Sequence, residues 1–144
     1  EATAAEAAEP APVKTVFDVY RPFKENPQLV LTRVTTGGEG LRLNFVFTNR
    51  GNTVRTIELS PANDVNAMFV ELPDGRQLAF KRAEGISFKP HRDRVEPGEK
   101  QRFSVTFEPL PKGVTKFHVY EGLGAKRALP GQSEFWYFRD IQLK

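Results

Sequence analysis

The chain has 144 residues, a length typical of one domain, and 39% of them are hydrophobic. It contains no cysteine, which excludes disulfides, thiolate metal sites, iron–sulfur clusters and cysteine nucleophiles. The formal net charge is only +3 and by itself indicates no class of partner. Twelve phenylalanines, eleven glycines and eleven prolines instead predict an aromatic core whose elements are separated by many turns.

The first twelve residues differ in composition from the rest of the chain. Segment 1–12, EATAAEAAEPAP, holds three acids, no base and no large apolar side chain. We therefore predict a disordered acidic linker over 1–12 and a single folded domain over 13–144. An Ala/Glu/Pro tether ahead of a β domain suits the bacterial envelope, so we expect a periplasmic or secreted chain, such as a lipoprotein tethered to a membrane upstream. The chain shows neither a signal sequence nor an apolar run that would span a membrane.

From residue 13 onward, apolar side chains recur at every second position. In 41–48, LRLNFVFT, four apolar residues share one face and mostly polar residues share the other, which predicts a half-buried strand. The segments 102–107 and 116–120 repeat this pattern. Further strands are predicted at 13–20, 29–35, 54–59, 67–72, 77–81 and 135–143.

Turn sequences separate the predicted strands. The sequences PDG at 73–75 and PG at 97–98 combine a proline that fixes φ with a glycine that accepts positive φ, so each predicts a tight turn. Asn49 predicts another turn, which its own side chain caps. Strands in which apolar residues, which face the core, alternate with polar residues, which face solvent, are typical of antiparallel sheets. We therefore predict an all-β, antiparallel two-sheet sandwich, with a small closed barrel of the oligonucleotide-binding type as the alternative.

The order of strands and turns over 41–110 resembles the immunoglobulin-like domains of secreted bacterial proteins and lipoproteins, many of them of unknown function. The resemblance rests on the asparagine turn at 49–52, the strand that meets the D-G turn at 74–75, and the alternating strand that follows the P-G turn. The same features are similar to the bacterial intracellular proteinase inhibitors of the same fold. The resemblance implies an immunoglobulin-like sandwich and supplies no functional residues.

Side chains that support catalysis or metal binding are scarce in this sequence. None of the four serines lies in the G-x-S-x-G pattern of a nucleophile elbow. His91 and Asp93 would point to the same side of an extended segment, but a zinc site needs more ligands and the other histidine, His118, lies far along the chain. We therefore expect no cofactor, no metal and no enzymatic activity.

A basic run between residues 76 and 102 is the strongest surface feature of the sequence. Side chains from it that converge on one face would bind an anionic polymer. The alternative is an ordinary mixed-charge surface that keeps edge strands from pairing. The residues that we select from the run as a candidate binding surface are Lys81, Arg82, Lys89, His91, Arg92 and Arg94.

Four consecutive aromatic residues occupy 135–138. Because neighbours in a strand point to opposite faces, one pair leaves the core unless something covers it. We add Trp136 and Phe138 to the candidate binding surface as a platform for a sugar or a peptide. The alternative is cover from within the chain, by the loop 122–131 or the segment 13–23.

These features predict a non-enzymatic immunoglobulin-like module that serves in binding or structure in the bacterial cell envelope, with a protein or an envelope polymer as its partner. A proteinase inhibitor of the same fold, using an exposed loop over 80–90, is one alternative. A polyanion-binding β-barrel is another, although nucleic acid is not the partner that we expect.

Overall fold

The computed structural model describes residues 14–24, 26–38, 40–61, 63–64, 67–122, 126 and 136–143. The predicted linker over 1–12 lies outside the described residues, as do Phe135 and most of the loop 122–131 that we considered as cover. Among the residues that the structure describes, no helix is long and apolar enough to cross a membrane.

Ten β-strands make up the described fold. Their bounds are β1 (Thr15–Phe23), β2 (Asn26–Thr36), β3 (Leu41–Thr48), β4 (Arg55–Ile57), β5 (Met68–Glu71), β6 (Gln77–Glu84), β7 (Asp93–Val95), β8 (Lys100–Phe107), β9 (Lys116–Glu121) and β10 (Tyr137–Gln142). Every segment predicted as a strand overlaps one of them, and an all-β antiparallel fold is confirmed. The sequence prediction lacks β7, which lies inside the basic run.

Eight of the strands form one continuous antiparallel sheet in the order β1-β2-β3-β8-β6-β5-β9-β10. The sheet curls until its outer strands, β1 and β10, approach each other, and the result is a nearly closed barrel. This differs from the two packed sheets of the predicted sandwich, because hydrogen bonds join each strand to its neighbour and no clear break divides the eight into two layers. Strands β4 and β7 pair with each other as a separate small sheet.

The pairing of β3 with β8 forms the centre of the sheet. Residue pairs run along the whole of both strands without a register shift. Alternate pairs point inward and, apart from Gln101, their residues are buried, and the rings of Phe45 and Phe103 stack with centroids 5.2 Å apart. Burial of this apolar face is the main stabilising contribution to the barrel. The other alternate pairs point outward and include Asn44 opposite Ser104.

An arginine and a phenylalanine bridge the gap between β1 and β10. Arg21 donates from Nη1 to the carbonyl oxygen of Asp140 at 3.0 Å and from Nη2 to that of Arg139 at 2.6 Å. Phe23, on the same strand, packs its ring against Phe138 at a centroid distance of 5.9 Å. Side chains close the barrel here, since no backbone ladder joins these two strands in the described part of the chain.

A buried asparagine ties two of the predicted turns together. Asn49 donates from Nδ2 to the carbonyl oxygens of Thr53 and Val95, both at 2.8 Å, and its Oδ1 accepts from the Gly51 N–H at 3.0 Å. Its backbone carbonyl accepts from the Gly98 N–H at 2.8 Å. The turn after β3 is thereby fixed both to β7 and to the turn that precedes β8.

Replacement of Arg21 should weaken the seam between β1 and β10. We expect Arg21→Ala to lower the free energy of unfolding by about 1–2 kcal/mol, because it removes two hydrogen bonds from a charged donor at a partly exposed site. Urea denaturation measures the change. Arg50→Ala is the matched control, since it removes an exposed arginine in the turn after β3, and it should cost less than about 0.5 kcal/mol. Equal losses in the two variants would contradict the bridging role of Arg21.

Candidate functional site

The structure distributes the predicted basic surface over three parts of the fold. Its members lie on β6 (Lys81 and Arg82), in the connection between β6 and β7 (Lys89, His91 and Arg92) and on β7 (Arg94). Arg82 lines a depression on the main sheet. Arg94 belongs to the small sheet and pairs with Glu96 at 3.5 Å. The basic run is therefore split between two sheets and the segment that joins them.

The aromatic part of the predicted surface packs against the interior. Phe138 is 3% exposed, and its ring contacts that of Phe45 at a centroid distance of 5.6 Å. Trp136 is half-buried and stacks on Phe103 with centroids 5.8 Å apart. Phe138 is thus a core residue in this structure, because the inward positions of β10 complete the barrel wall. Trp136 keeps part of its surface accessible.

An open groove of about 510 Å³ lies on the outer face of the barrel, over β2, β3, β8 and β6. The alternation that buries one face of these strands turns their polar residues outward. Short polar side chains occupy the middle of the groove, and long charged side chains stand around them. The resulting shape is a shallow, polar depression with charged walls.

A pair of small polar residues forms the floor of the groove. Asn44 and Ser104 lie opposite each other in the β3–β8 register and point outward. Ser104 is only 6% exposed although it lies on the outer face. Neither its hydroxyl nor the side-chain amide of Asn44 makes a hydrogen bond with a residue that the structure describes. The floor therefore presents donors that a polar ligand can use.

Three arginines stand around this floor. Arg42 on β3 places Nη2 3.3 Å from Oε1 of Glu84 on β6, and Arg33 on β2 places Nε 3.1 Å from Oδ1 of Asp18. Arg102 on β8 forms no ion pair with any of the described residues. Both ion pairs are exposed, so each contributes about 0–1 kcal/mol and a ligand can replace the acid in it.

A second depression, of about 320 Å³, continues the groove toward the beginning of β1. It shares two of the arginines and the Asn44 floor with the first depression, and it adds one lysine and one arginine. Together the two depressions bring five cationic side chains to one face: Lys14, Arg33, Arg42, Arg82 and Arg102.

Of these five cations, the predicted binding surface includes Arg82, and the basic run from which it was selected also contains Arg102. Arg33 and Arg42 come from strands that lie outside the basic run. A signal for part of the site is present in the alternation, because the outward positions of 41–48 and 102–107 carry the residues Arg42, Asn44, Arg102 and Ser104. Strand order is needed to bring β2 and β6 beside them, and no local pattern contains it.

The carboxylate that the sequence associates with His91 has other partners. Asp93 accepts hydrogen bonds from the N–H of Ser87 at 2.8 Å, from Ser87 Oγ at 2.7 Å and from Gln101 Nε2 at 2.9 Å. Partial burial acts to raise the pKa of Asp93, but these hydrogen bonds outweigh it and hold the pKa below its usual value. Within the described ranges, no three His, Asp or Glu side chains group as a metal site requires.

One carboxylic acid, Glu121 at the end of β9, is buried. It is 6% exposed, and its Oε1 accepts a hydrogen bond from the Trp136 N–H at 2.9 Å. Burial raises the pKa of Glu121 to about 7, and the hydrogen bond from Trp136 and the positive charge of Lys89 offset that effect only in part. The negative charge of Glu58 raises the pKa further. This acid lies apart from the residues that line the groove.

No protein-family model, curated protein or solved structure matches the chain. What the groove can bind is therefore inferred from its own chemistry. It combines unpaired floor donors with a surplus of positive charge, an arrangement that suits an anion.

Stability should fall as the pH rises from about 4.5 to 7, because of Glu121. Its pKa is 4.5 in the unfolded chain and about 7 in the folded one. Between these pH values the carboxyl group ionises in the unfolded chain but stays protonated in the folded one, so a rise in pH stabilises the unfolded state. The full loss is about 3 kcal/mol. Urea denaturation at pH 5 and pH 8 measures it in wild type and in Glu121→Gln, which keeps an acceptor for the Trp136 N–H and removes the titration.

Glu121→Gln should show a much smaller difference between the two pH values than wild type. The control is Glu96→Gln, which neutralises an exposed acid and should retain the wild-type difference. A Glu121→Gln variant with an unchanged pH dependence would show that Glu121 is not the responsible group.

Proposed function

We propose that this protein is a non-enzymatic binding module that takes an anionic ligand in the outer groove. The observation that carries the proposal is the set of donors around the β3–β8 pair, where the side chains of Asn44, Ser104 and Arg102 make no hydrogen bond or ion pair with a described residue. The backbone pairing of both strands fixes the floor before a ligand arrives. Binding there costs little backbone conformational entropy.

The charge of the groove supports the same class of ligand. Five cations line it, and two of them, Arg33 and Arg42, pair with the carboxylates of Asp18 and Glu84. Four of the cations are arginines, whose guanidinium forks match the oxygens of carboxylates and phosphates. A concave site also strengthens electrostatic attraction relative to a flat, fully solvated surface. An anion would gain hydrogen bonds and relieve repulsion among the arginines.

The setting that we propose is the bacterial cell envelope, which the acidic Ala/Glu/Pro segment over 1–12 suits. A negatively charged envelope polymer belongs to the class of ligand that the groove favours. Membership of the immunoglobulin-like class, which the order of strands and turns over 41–110 suggests, is part of the same proposal.

A proteinase inhibitor is a second function that the sequence suggests, and it requires a protruding loop over 80–90. Residues up to Glu84 in this segment belong to β6. Phe88 bridges to Leu59, where the Leu59 N–H donates to the Ser87 carbonyl at 3.0 Å and the Lys89 N–H donates to the Leu59 carbonyl at 2.9 Å. These contacts support inhibition less than the groove supports anion binding.

The double variant Arg42→Gln/Arg102→Gln should weaken binding to a soluble or immobilised polyanion. Wild-type protein should be retained on heparin at low salt and released as the salt concentration rises, because salt screens exposed charges. The variant should elute at lower salt and bind soluble heparin about tenfold more weakly, since both removed charges line the groove. Elution position and titration calorimetry measure these changes.

The matched control is Arg92→Gln/Arg94→Gln, which removes the same charge from the basic run outside the groove. It should elute close to wild type. An equal or larger loss in this control would place polyanion binding on the basic run and would contradict the groove as the site.

A further inference from the structure

An ion pair crosses above the groove floor. Arg42 and Glu84 lie on the two strands that flank β8, and their side chains meet across it at 3.3 Å. The strand that the pair crosses carries the outward-facing Ser104, opposite Glu84, and Thr106, opposite Arg42, which are 6% and 4% exposed. A ligand that reaches the floor must therefore displace Glu84 from Arg42.

We infer that the ligand presents linked phosphoryl groups to the groove, an inference that rests on the proposed function. A carboxylate ligand would exchange one carboxylate for another on Arg42 and would gain little. The terminal phosphoryl group of a phosphate chain carries up to about two negative charges and has three free acceptor oxygens, so it competes better with Glu84. On the other side of the groove, Arg33 pairs with Asp18 at 3.1 Å. A ligand that binds Arg33 must compete with that carboxylate in the same way.

The direction of the donors favours a tetrahedral group over a planar one. Asn44 and Ser104 face the ligand from the floor, and Arg42 and Arg102 stand on neighbouring strands beside them. A planar carboxylate is satisfied by a single guanidinium fork. The oxygens of a phosphoryl group point in several directions and can accept from the floor and the walls together.

The second depression gives a phosphate chain a place to continue. Ser104 lines the first depression and Thr106 lines the second. The two residues are two positions apart on one strand, a separation of about 6.8 Å. Arg42 borders both depressions, and Lys14 and Arg82 line the second. A ligand with several linked phosphates would engage both depressions at once, and binding of the second group would then be intramolecular.

The aromatic residues beside the groove turn away from it. Phe45 and Phe103 contribute to its wall, but their rings stack on each other in the core, where they are 1% and 4% exposed. Single-stranded nucleic acid relies on aromatic side chains on which its bases stack. The described lining offers no such platform, which favours a phosphate chain without bases.

Titration calorimetry on the full chain at low salt tests this inference with four probes: tripolyphosphate, inorganic phosphate, tricarballylate and octathymidylate. Tripolyphosphate should bind at least about tenfold more tightly than each of the others, because it is multiply charged, reaches toward the second depression and needs no stacking. Tricarballylate is the matched control for several linked carboxylates.

Two single variants locate the effect. Glu84→Gln should strengthen tripolyphosphate binding about threefold or more, since the competing charge is lost, whereas Glu96→Gln, an exposed acid outside the groove, should leave it unchanged. Ser104→Ala should weaken it severalfold without changing the urea midpoint by more than a small amount, because the hydroxyl has no partner in the described part of the chain.

The outcomes separate this inference from the proposed function. Tricarballylate binding as tight as that of tripolyphosphate would overturn the phosphoryl inference and leave anion binding in place. Tightest binding of octathymidylate would overturn it in favour of nucleic acid. No binding of tripolyphosphate would overturn it as well, and the proposed function would also fail if Arg42→Gln/Arg102→Gln were retained on heparin like wild type.

Discussion

The uninterrupted pairing of β3 with β8 is the constraint on which the rest of the structure depends. Along a strand, successive side chains point to opposite faces, so one register decides both the core and the outer surface. In this register Phe45 stacks on Phe103 inside the barrel, and Asn44 meets Ser104 outside it. A slip of one residue would bury the polar pair and expose the rings. The hydrophobic core and the floor of the groove therefore specify each other.

The neighbouring strands have less regular pairing, and the irregularities lie beside the groove. Register shifts occur in β2 against β3 and in β6 against β8, on the two sides of the central pair. Beyond these shifts, Arg33 aligns with Asn44 and Glu84 aligns with Ser104. The bulges thus set which charged residues stand beside the floor, while Arg21 bridges the opposite side of the barrel.

The sequence predicts the parts of this structure that depend on local patterns. Alternation in 41–48 and 102–107 predicts the central strands, and turn chemistry predicts the Asn49 turn and the P-G turn, which the structure joins by a hydrogen bond. Closure of one sheet, in place of two, depends on contacts between Arg21 and β10, almost the whole chain apart. The groove likewise needs β2 and β6 placed beside the central pair. Both the closure of the sheet and the composition of the groove depend on strand order, which is a long-range property that local sequence patterns do not contain.

The central claim is that the outward face of the β3–β8 pair is the ligand surface of this protein. The most direct measurement is a map of amide chemical-shift changes in ¹⁵N-labelled protein as tripolyphosphate is added. We expect the largest changes in β3 and β8 around Asn44 and Ser104, extending to Arg33 and Glu84 on the flanking strands. Changes concentrated over 89–94, or none above background at saturating probe, would contradict the account.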